Sequence, residues 1–221
     1  MESDGSVFVD TGVIGKSGTA ADMGVAILQE ADKGILDSRN VNVRYYQYHN
    51  GTGRAMVGYN DWYYVPATPG GLSKTSTQGF LMTIGQKYHV ESLLANGTQT
   101  VKIDGTTQLT DTKAGSVDTG LSLYLFSCNY NNGSSVTPYW HGKGRIYWLK
   151  LYQGDEYGNN LQLVRDFKPV RLANGLVVLW DFVENKPYPA QSTTAPYNNT
   201  FFSAVGPDGD RFYTGTRVVV R

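Results

Sequence analysis

Three short segments of this 221-residue chain place aromatic rings beside amides, a carboxylate or an imidazole. They are Tyr-Tyr-Gln-Tyr-His-Asn at 45–50, Asn-Asp-Trp-Tyr-Tyr at 60–64 and Tyr-Trp-His at 139–141. A flat ring can cover the apolar face of a pyranose while amides and carboxylates bind its hydroxyl groups. The pattern predicts a sugar-binding surface with these candidate residues: Tyr46, Tyr48, Asn60, Asp61, Trp62, Tyr63, Tyr64, Trp140 and His141. The alternative is that many of these rings pack in the core, as alternation along a strand requires.

The acidic residues lack the pattern that sugar-cleaving enzymes place on a β-strand. Retaining hydrolysis needs two carboxyl groups roughly 5–5.5 Å apart, which alternate residues of a Glu-x-Asp-x-Glu strand can supply. Glu30-Ala31-Asp32 and Glu2-Ser3-Asp4 come nearest, but neither is completed by a second glutamate. We therefore predict no catalytic residue and no enzyme. Carboxylates distant in sequence can still meet in a fold, so a glycosidase stays the third hypothesis.

Other segments that resemble chemical motifs do not have the residue spacing that those motifs require. The segment 12–17, Gly-Val-Ile-Gly-Lys-Ser, has two residues between its glycines where a phosphate-binding loop needs four. The three histidines, His49, His89 and His141, lie in separate segments, and no Cys/His spacing suits zinc. No cofactor and no metal ligand are predicted. Calcium stays open, because Asp155-Glu156 and Asp208-Gly209-Asp210 offer carboxylate oxygens.

Composition and charge exclude several partners. Lys plus Arg and Asp plus Glu number 19 each, so the chain has no basic surplus for nucleic acid. No apolar run is long enough to cross a membrane, and the polar start Met-Glu-Ser-Asp-Gly does not resemble a signal peptide. The single cysteine, Cys128, cannot form an internal disulfide. We expect neither a nucleic-acid nor a membrane partner.

Turn signals and alternation predict an all-β chain. Seven Asn-Gly or Asp-Gly dipeptides, which suit tight hairpin turns, separate runs of β-branched and aromatic residues. The clearest hairpin joins 88–95 to 98–103, and Leu121, Leu123 and Leu125 share one face of a strand. Strands are predicted at 7–13, 24–29, 41–48, 54–59, 80–84, 87–95, 98–103, 121–127, 144–152, 161–167, 177–181, 201–205 and 217–220.

Two segments need separate interpretation. The segment 144–152 is bulky on both faces, which predicts a central strand or one whose outer face is covered. The segment 20–37 is the best helical candidate, but its apolar stripe is weak and it contains Gly24 and Gly34. At most a turn is expected there. With no linker and no repeat, we predict a single domain over 1–221.

Several motifs resemble those of the concanavalin A-like (laminin-G-like) jelly-roll domains of gut bacterial surface proteins and phage or prophage tail proteins. The start, Glu-Ser-Asp-Gly-Ser-Val-Phe-Val-Asp-Thr-Gly at 2–12, is similar to that family's opening segment. The later segments 144–147, 150–152, 163–171, 175–181 and 201–208 follow in the family's order, with Trp180 where the pattern has Tyr. The resemblance implies a two-sheet antiparallel jelly-roll sandwich, but it does not identify a ligand.

This resemblance and the aromatic segments lead to three functional hypotheses. The first is a non-catalytic carbohydrate-binding or adhesive module that binds a glycan or surface polysaccharide. The alternative is a structural virion or tail component in contact with protein neighbours, and the third is the glycosidase. An extracellular, cell-surface or virion location is implied. The charged residues Arg165, Asp166, Arg171 and Asp181 fall in the signature strands and are predicted to form structural ion pairs.

Overall fold

A computed structural model describes most of the chain between residues 1 and 200. The described residues are 1–29, 33–41, 43–49, 53–59, 62–71, 79–95, 98–112, 116–173, 176–192 and 199–200. For 46–49, 56–59, 62–64 and 199–200 the description covers the backbone alone. Within these residues the regular structure is entirely β, and no helix there could span a membrane.

The first sheet runs in the order β10-β9-β8-β3-β14-β15-β16-β17, with β1 paired to β14. Neighbouring strands in it are antiparallel. Its strands are β1 (Glu2–Asp4), β3 (Thr19–Ile27), β8 (Tyr88–Ala95), β9 (Thr98–Ile103), β10 (Thr106–Thr112), β14 (Lys143–Gln153), β15 (Gln162–Arg171), β16 (Val177–Asp181) and β17 (Lys186–Tyr188).

The second sheet runs in the order β19-β18-β2-β11-β4-β5-β6-β7, and the hairpin of β12 and β13 joins it through a parallel pairing of β12 with β4. Its strands are β2 (Val7–Lys16), β4 (Lys33–Asn40), β5 (Val43–His49), β6 (Ala55–Tyr59), β7 (Trp62–Tyr64), β11 (Asp118–Leu125), β12 (Cys128–Asn131), β13 (Val136–Tyr139), β18 (Ala190–Ser192) and β19 (Asn199–Thr200).

The core lies between the two sheets and follows from period-2 patterning. Leu123 and Leu125 of β11 are fully buried, whereas Tyr124 between them is half-buried. Leu149 and Leu151 of β14 are fully buried from the opposite sheet. Alternating apolar residues of both sheets thus form one shared layer, which is the arrangement of a sandwich. The predicted all-β, two-sheet antiparallel sandwich is confirmed.

Several local predictions are also confirmed. The hairpin of β8 and β9 pairs antiparallel from Val90 with Ile103 to Ala95 with Thr98. Strand β14 is central, with β3 on one side and β15 on the other. The predicted strands at 201–205 and 217–220 lie outside the described residues, and the single domain over 1–221 remains a prediction.

Two local predictions are wrong. The described residues of 20–37 contain no helix, as expected, but they form most of β3 and the first half of β4, whereas a strand was predicted only over 24–29. Gly24 is compatible with β3 because this strand is paired on both sides, with β8 and β14, and these ladders outweigh local propensity. The segment 80–84 is not a strand, and its bridge of Leu81 to Arg54 is isolated.

Arg165 connects the two sheets near one rim of the sandwich. Its Nε donates to the carbonyl of Thr11 on β2, at 3.1 Å, and lies 3.6 Å from Oδ2 of the fully buried Asp181. Its Nη1 lies 2.8 Å from Oε1 of Glu184. Asp181 also accepts the backbone N–H groups of Asp166 and Val183. These contacts agree with the predicted structural role of Arg165 and Asp181, although the acidic partners are Asp181 and Glu184 rather than Asp166.

Candidate functional site

The register of the second sheet brings two of the predicted aromatic segments side by side. Strands β5 and β7 flank β6, so Tyr46 and Trp62 lie in one row across the sheet, and Tyr48 and Tyr64 lie in another. Tyr63 lies in the row between them. For these residues the structure describes backbone alone, and Asn60 and Asp61 lie outside the described residues.

The row that holds Tyr46 extends to the third aromatic segment. Tyr46 pairs with Asp37, Asp37 with Cys128, and Cys128 with Tyr139. Tyr139 and Trp62 therefore stand at opposite ends of a row that crosses six strands, about 24 Å apart at the usual strand spacing. Among the predicted residues that the structure describes, those of β5 and β7 therefore lie far along the sheet from Trp140 and His141.

The group around Trp140 forms an aromatic cluster, here called the Trp140 cluster, of Tyr130, Tyr139, Trp140 and Arg39. The Trp140 ring stacks on Tyr130 at 6.5 Å between centroids with an interplanar angle of 16°, and lies 5.1 Å from the ring of Tyr139. The Arg39 guanidinium lies over both the Tyr130 and Trp140 rings, at 4.8 and 5.7 Å. Tyr139 is 49% exposed, so the cluster reaches the surface.

The His141 side chain is hydrogen-bonded within its own loop. Its Nδ1 lies 3.0 Å from the Ser127 hydroxyl, which donates to the carbonyl of Tyr139 at 3.0 Å. Burial, with a smaller contribution from the Lys33 charge, lowers the pKa of His141. These contacts stabilise the turn after β13, and they point to a structural role beside the predicted one in binding.

The centre of the second sheet holds a buried acid and thiol. Asp37 and Cys128 are register partners on β4 and β12, and both are fully buried. Burial raises the pKa of Asp37 well above its usual range, because the nearby charges of Arg39 and Arg44 offset the desolvation only in part. Burial also raises the pKa of the Cys128 thiol, and the thiol is therefore not an activated nucleophile.

A cleft on the outer face of the first sheet was missed by sequence reasoning. Ile146 pairs with Val25 and Trp148 with Gly24, so the register shifts at Tyr147, which is an extra residue in β14. Such a bulge re-aims side chains. Ile146 and Leu149 stay buried, whereas Tyr147 and Trp148, adjacent in sequence, are both half-buried.

The Trp148 ring lies flat against the sheet because residue 24 is glycine. A Cβ at Gly24 would stand 2.5 Å from Cε3 and 2.6 Å from Cη2 of the ring, far inside normal contact. The indole Nε1 donates to Asp22 Oδ1 at 2.8 Å, which fixes the ring in its plane. One face of this large ring is thus held by the strand, and its orientation is set before any ligand arrives.

Polar groups surround the two rings. His89 Nε2 lies 2.9 Å from Asp22 Oδ1, and its ring meets that of Trp148 edge-on at 5.5 Å. Together with Lys150 and Lys168, these residues line a cleft of about 430 Å³. We call this site the bulge cleft; it is lined by Asp22, His89, Tyr147, Trp148, Lys150 and Lys168.

A second depression adjoins the bulge cleft and shares Asp22 with it. It measures about 500 Å³ and is lined by Ala20, Ala21, Asp22, Glu91, Ser92, Leu93, Thr100, Lys102, Tyr152 and Leu161. Across its floor Asp22 pairs with Glu91, and Glu91 pairs with Lys102. Together, the two depressions are large enough for a ligand that consists of more than one ring.

The described residues do not contain a cluster of His, Cys, Asp and Glu that could hold a metal ion. Asp155 Oδ1 instead accepts the backbone N–H groups of Tyr157 and Asn159, which closes its own loop. The other calcium candidate, 208–210, lies outside the described residues. The segment 12–17, which was compared with a phosphate loop, lies mostly within β2.

No family model and no curated protein matches the chain. A solved structure of a candidate carbohydrate-binding protein from Bacteroides ovatus is similar over 92% of this chain, with 10% identity and a TM-score of 0.55. This chain spans 59% of the length of that protein.

Two further solved structures are similar over a smaller part of the chain. A heptameric SAP-like pentraxin from Limulus polyphemus matches 66% of this chain and 69% of its own, at 11% identity and a TM-score of 0.44. Domain 4 of AbnA, an extracellular GH43 arabinanase from Geobacillus stearothermophilus solved with arabinotriose, matches 68% of this chain and 69% of its own, at 18% identity and a TM-score of 0.43. The likeness to the Bacteroides ovatus protein shows that the two chains share a fold.

Proposed function

We propose that this chain is a non-catalytic carbohydrate-binding module and that the bulge cleft holds the sugar. The observation that carries the proposal is the bulge at Tyr147, which presents this ring and that of Trp148 from one face of the sheet. Sugar sites combine aromatic rings for the apolar face of a pyranose with a few fixed polar groups for its hydroxyls. The cleft provides both.

The bulge cleft is organised in advance, which favours binding over a structural role. Asp22 Oδ1 accepts from Trp148 at 2.8 Å and lies 2.9 Å from His89 Nε2, so one carboxylate positions two neighbouring rings. The Asp22 and Trp148 side chains stay partly accessible. A rigid, accessible site pays less ordering entropy when a ligand binds.

On this face of the first sheet a glycosidase could pair Asp22 with Glu91, which are register partners on β3 and β8. Asp22 Oδ1, however, is occupied by contacts that hold the rings of the cleft. Among the residues that line the bulge cleft, Asp22 supplies the one carboxylate, whereas hydrolysis needs two. This arrangement supports a module that binds without cleaving.

The remaining parts of the proposal rest on resemblance. The fold shared with the Bacteroides ovatus protein supports carbohydrate binding, and the sequence motifs support a concanavalin A-like, laminin-G-like module of a surface or phage tail protein. An extracellular, cell-surface or virion location and an adhesive role follow from the same proposal. Tyr46, Tyr48, Trp62, Tyr63, Tyr64, Trp140 and His141 stay candidates for a second contact surface.

The test is a glycan array probed with the purified protein and with a Trp148→Ala variant. Loss of the ring should weaken binding of the best glycan about ten-fold or more, equal to about 1.4 kcal/mol. A Tyr157→Ala variant is the control, because it removes an exposed ring that lines neither depression. If Trp148→Ala binds as tightly as the unchanged protein, the bulge cleft is not the site, and if no glycan binds, the function is wrong.

The second candidate function is contact with a protein neighbour in a virion or surface assembly, through the Trp140 cluster. The observation that favours it is the contact of the exposed Tyr139 with the half-buried Trp140 and Arg39, since Arg, Trp and Tyr dominate the energetics of protein interfaces. Sedimentation velocity would show concentration-dependent association that Trp140→Ala removes. A monomer at every concentration would argue against self-assembly through this cluster.

A further inference from the structure

The bulge cleft carries more positive than negative charge. Lys150 and Lys168 line it, and the Lys87 amino group lies 4.6 Å from the ring centre of Tyr147 and 5.0 Å from that of Trp148. None of these three lysines has a carboxylate within ion-pair distance among the described residues. The whole chain has a formal net charge of zero, so this excess is local.

The acidic groups nearby do not cancel the excess. Asp22 Oδ1 is already engaged by Trp148 and His89. Asp166 is the register partner of Lys150, so it offsets one of the three lysines. Asp104, which accepts the backbone N–H of His89 at 2.8 Å, offsets a second lysine. Among the residues that line the cleft, however, Lys150 and Lys168 still outnumber the one carboxylate, Asp22. On the neighbouring strands Glu91 pairs with Lys102, which leaves that pair balanced.

On this basis, and resting on the proposed carbohydrate-binding function, we propose that the bulge cleft selects acidic sugars. The ligand is a glycan whose pyranose carries a carboxylate or a sulfate group. The rings of Tyr147 and Trp148 cover the apolar face of the sugar, while Lys150 and Lys168 bind the anionic group. Lysine suits this role, since its ammonium is a compact charge with three donors that adapts to anions of different shape.

The position of Lys87 strengthens the inference. Its ammonium is attracted to the ring faces of Tyr147 and Trp148, which places a cation directly above the surface on which a sugar would stack. A bound sugar must displace this ammonium from the rings. Lys87 is exposed, so its long side chain is free to swing aside and turn toward an acidic substituent of the sugar.

The test compares glycans that differ in charge but share a ring skeleton. The pairs are trigalacturonic acid and its methyl ester, sialyllactose and its methyl ester, and dextran sulfate and dextran, all carried on an array with neutral glycans and titrated in solution. The acidic member of at least one pair should bind about ten-fold more tightly than its neutral partner. The first two pairs test a carboxylate and the third tests a sulfate.

Single substitutions of lysines and of Trp148 show which residues bind the acidic glycan. Lys150→Gln and Lys168→Gln should each weaken the acidic member up to about five-fold and leave the neutral member unchanged, as expected for an accessible ion pair. Lys143→Gln is the matched control, because it removes the same charge from an exposed end of the same strand, β14. Trp148→Ala should weaken both members of a pair.

Each outcome separates the two proposals. Equal affinity for acidic and neutral members overturns the selection for acidic sugars, while the carbohydrate-binding function stands. Polyanion binding is nonspecific if Trp148→Ala leaves it intact and Lys143→Gln weakens it as much as Lys150→Gln does. That result overturns the assignment to this cleft. If no glycan of the array binds, both proposals fail.

Discussion

Replacement of Gly24 by alanine tests whether this glycine seats the Trp148 ring. The backbone of Gly24 is not in the left-handed region, so alanine fits the strand, but its Cβ would stand 2.5 Å from Cε3 of the ring. The ring must then move by about 1 Å to regain normal contact. That displacement would break the 2.8 Å hydrogen bond from Nε1 to Asp22.

The expected magnitude follows from three contributions. A methyl group forced into a packed contact costs about 1–3 kcal/mol. The lost hydrogen bond to a carboxylate adds less than its buried value of about 1.5–3 kcal/mol, since water can replace the donor at this partly exposed site. Against this, alanine restricts the unfolded chain and returns about 0.4–1 kcal/mol. We expect Gly24→Ala to lower the free energy of unfolding by about 1–2 kcal/mol.

The assay is urea denaturation followed by circular dichroism, in a double-mutant cycle with Trp148→Ala. Without the large ring, Gly24→Ala should be neutral or stabilise by about 0.5 kcal/mol, so the coupling is about 1–2.5 kcal/mol. Gly70→Ala is the control, because Gly70 is exposed and its added Cβ would meet no atom closer than 3.7 Å. If Gly24→Ala has the same effect in both backgrounds, the ring does not depend on this glycine.

Three further substitutions test other parts of the structure. Asp37→Asn should raise the free energy of unfolding at pH 8 but not at pH 3. Burial raises the pKa of Asp37 in the folded state. The contribution of Asp37 to stability is therefore complete below its unfolded-state pKa of about 3.9 and is lost as the pH rises through its folded-state pKa. Urea titrations at both pH values check this, and a variant less stable than the parent at pH 8 would contradict it. Arg165→Met should lower the free energy of unfolding by about 3 kcal/mol, because the buried Asp181 loses its cation, while the folded variant keeps its glycan affinity. Thermal melts measure the stability and titrations measure the affinity. Weaker binding without lower stability would show that Arg165 has a role in the site. Trp140→Ala should change the free energy of unfolding by less than about 1 kcal/mol, as expected for a ring near the surface, and a larger loss in urea denaturation would place this ring in the core.

Much of the fold could be predicted because it depends on local signals. Alternation in 121–125 marks the buried face of β11, and the Asn-Gly dipeptide at 96–97 marks the link between β8 and β9. The bulky segment 144–152 indicated a central strand, and β14 is central. Strand β4 was not expected, because its residues Asp37 to Asn40 are polar and become strand only through pairing with β5, β11 and β12.

The bulge cleft could not be predicted because it depends on register. The residues Ile-Tyr-Trp-Leu at 146–149 are all bulky, and nothing in their types indicates that the register shifts at Tyr147. Asp22 and His89 are 67 residues apart in sequence, so their contact follows only from the pairing of β3 with β8. In the sequence Gly24 counted only against a helix in 20–37, whereas its missing Cβ is what admits the indole ring.

The bulge in β14 also bears on how such a surface can be altered. If Tyr147 were deleted, the remaining order of Ile146, Trp148, Leu149 and Lys150 would follow regular alternation, with the same apolar side chains toward the core. One residue can therefore be gained or lost on the outer face while the packed interior keeps its composition. A sandwich with this property can acquire, reshape or discard a recognition surface by single-codon insertions and deletions, a type of change that most β-strands do not tolerate.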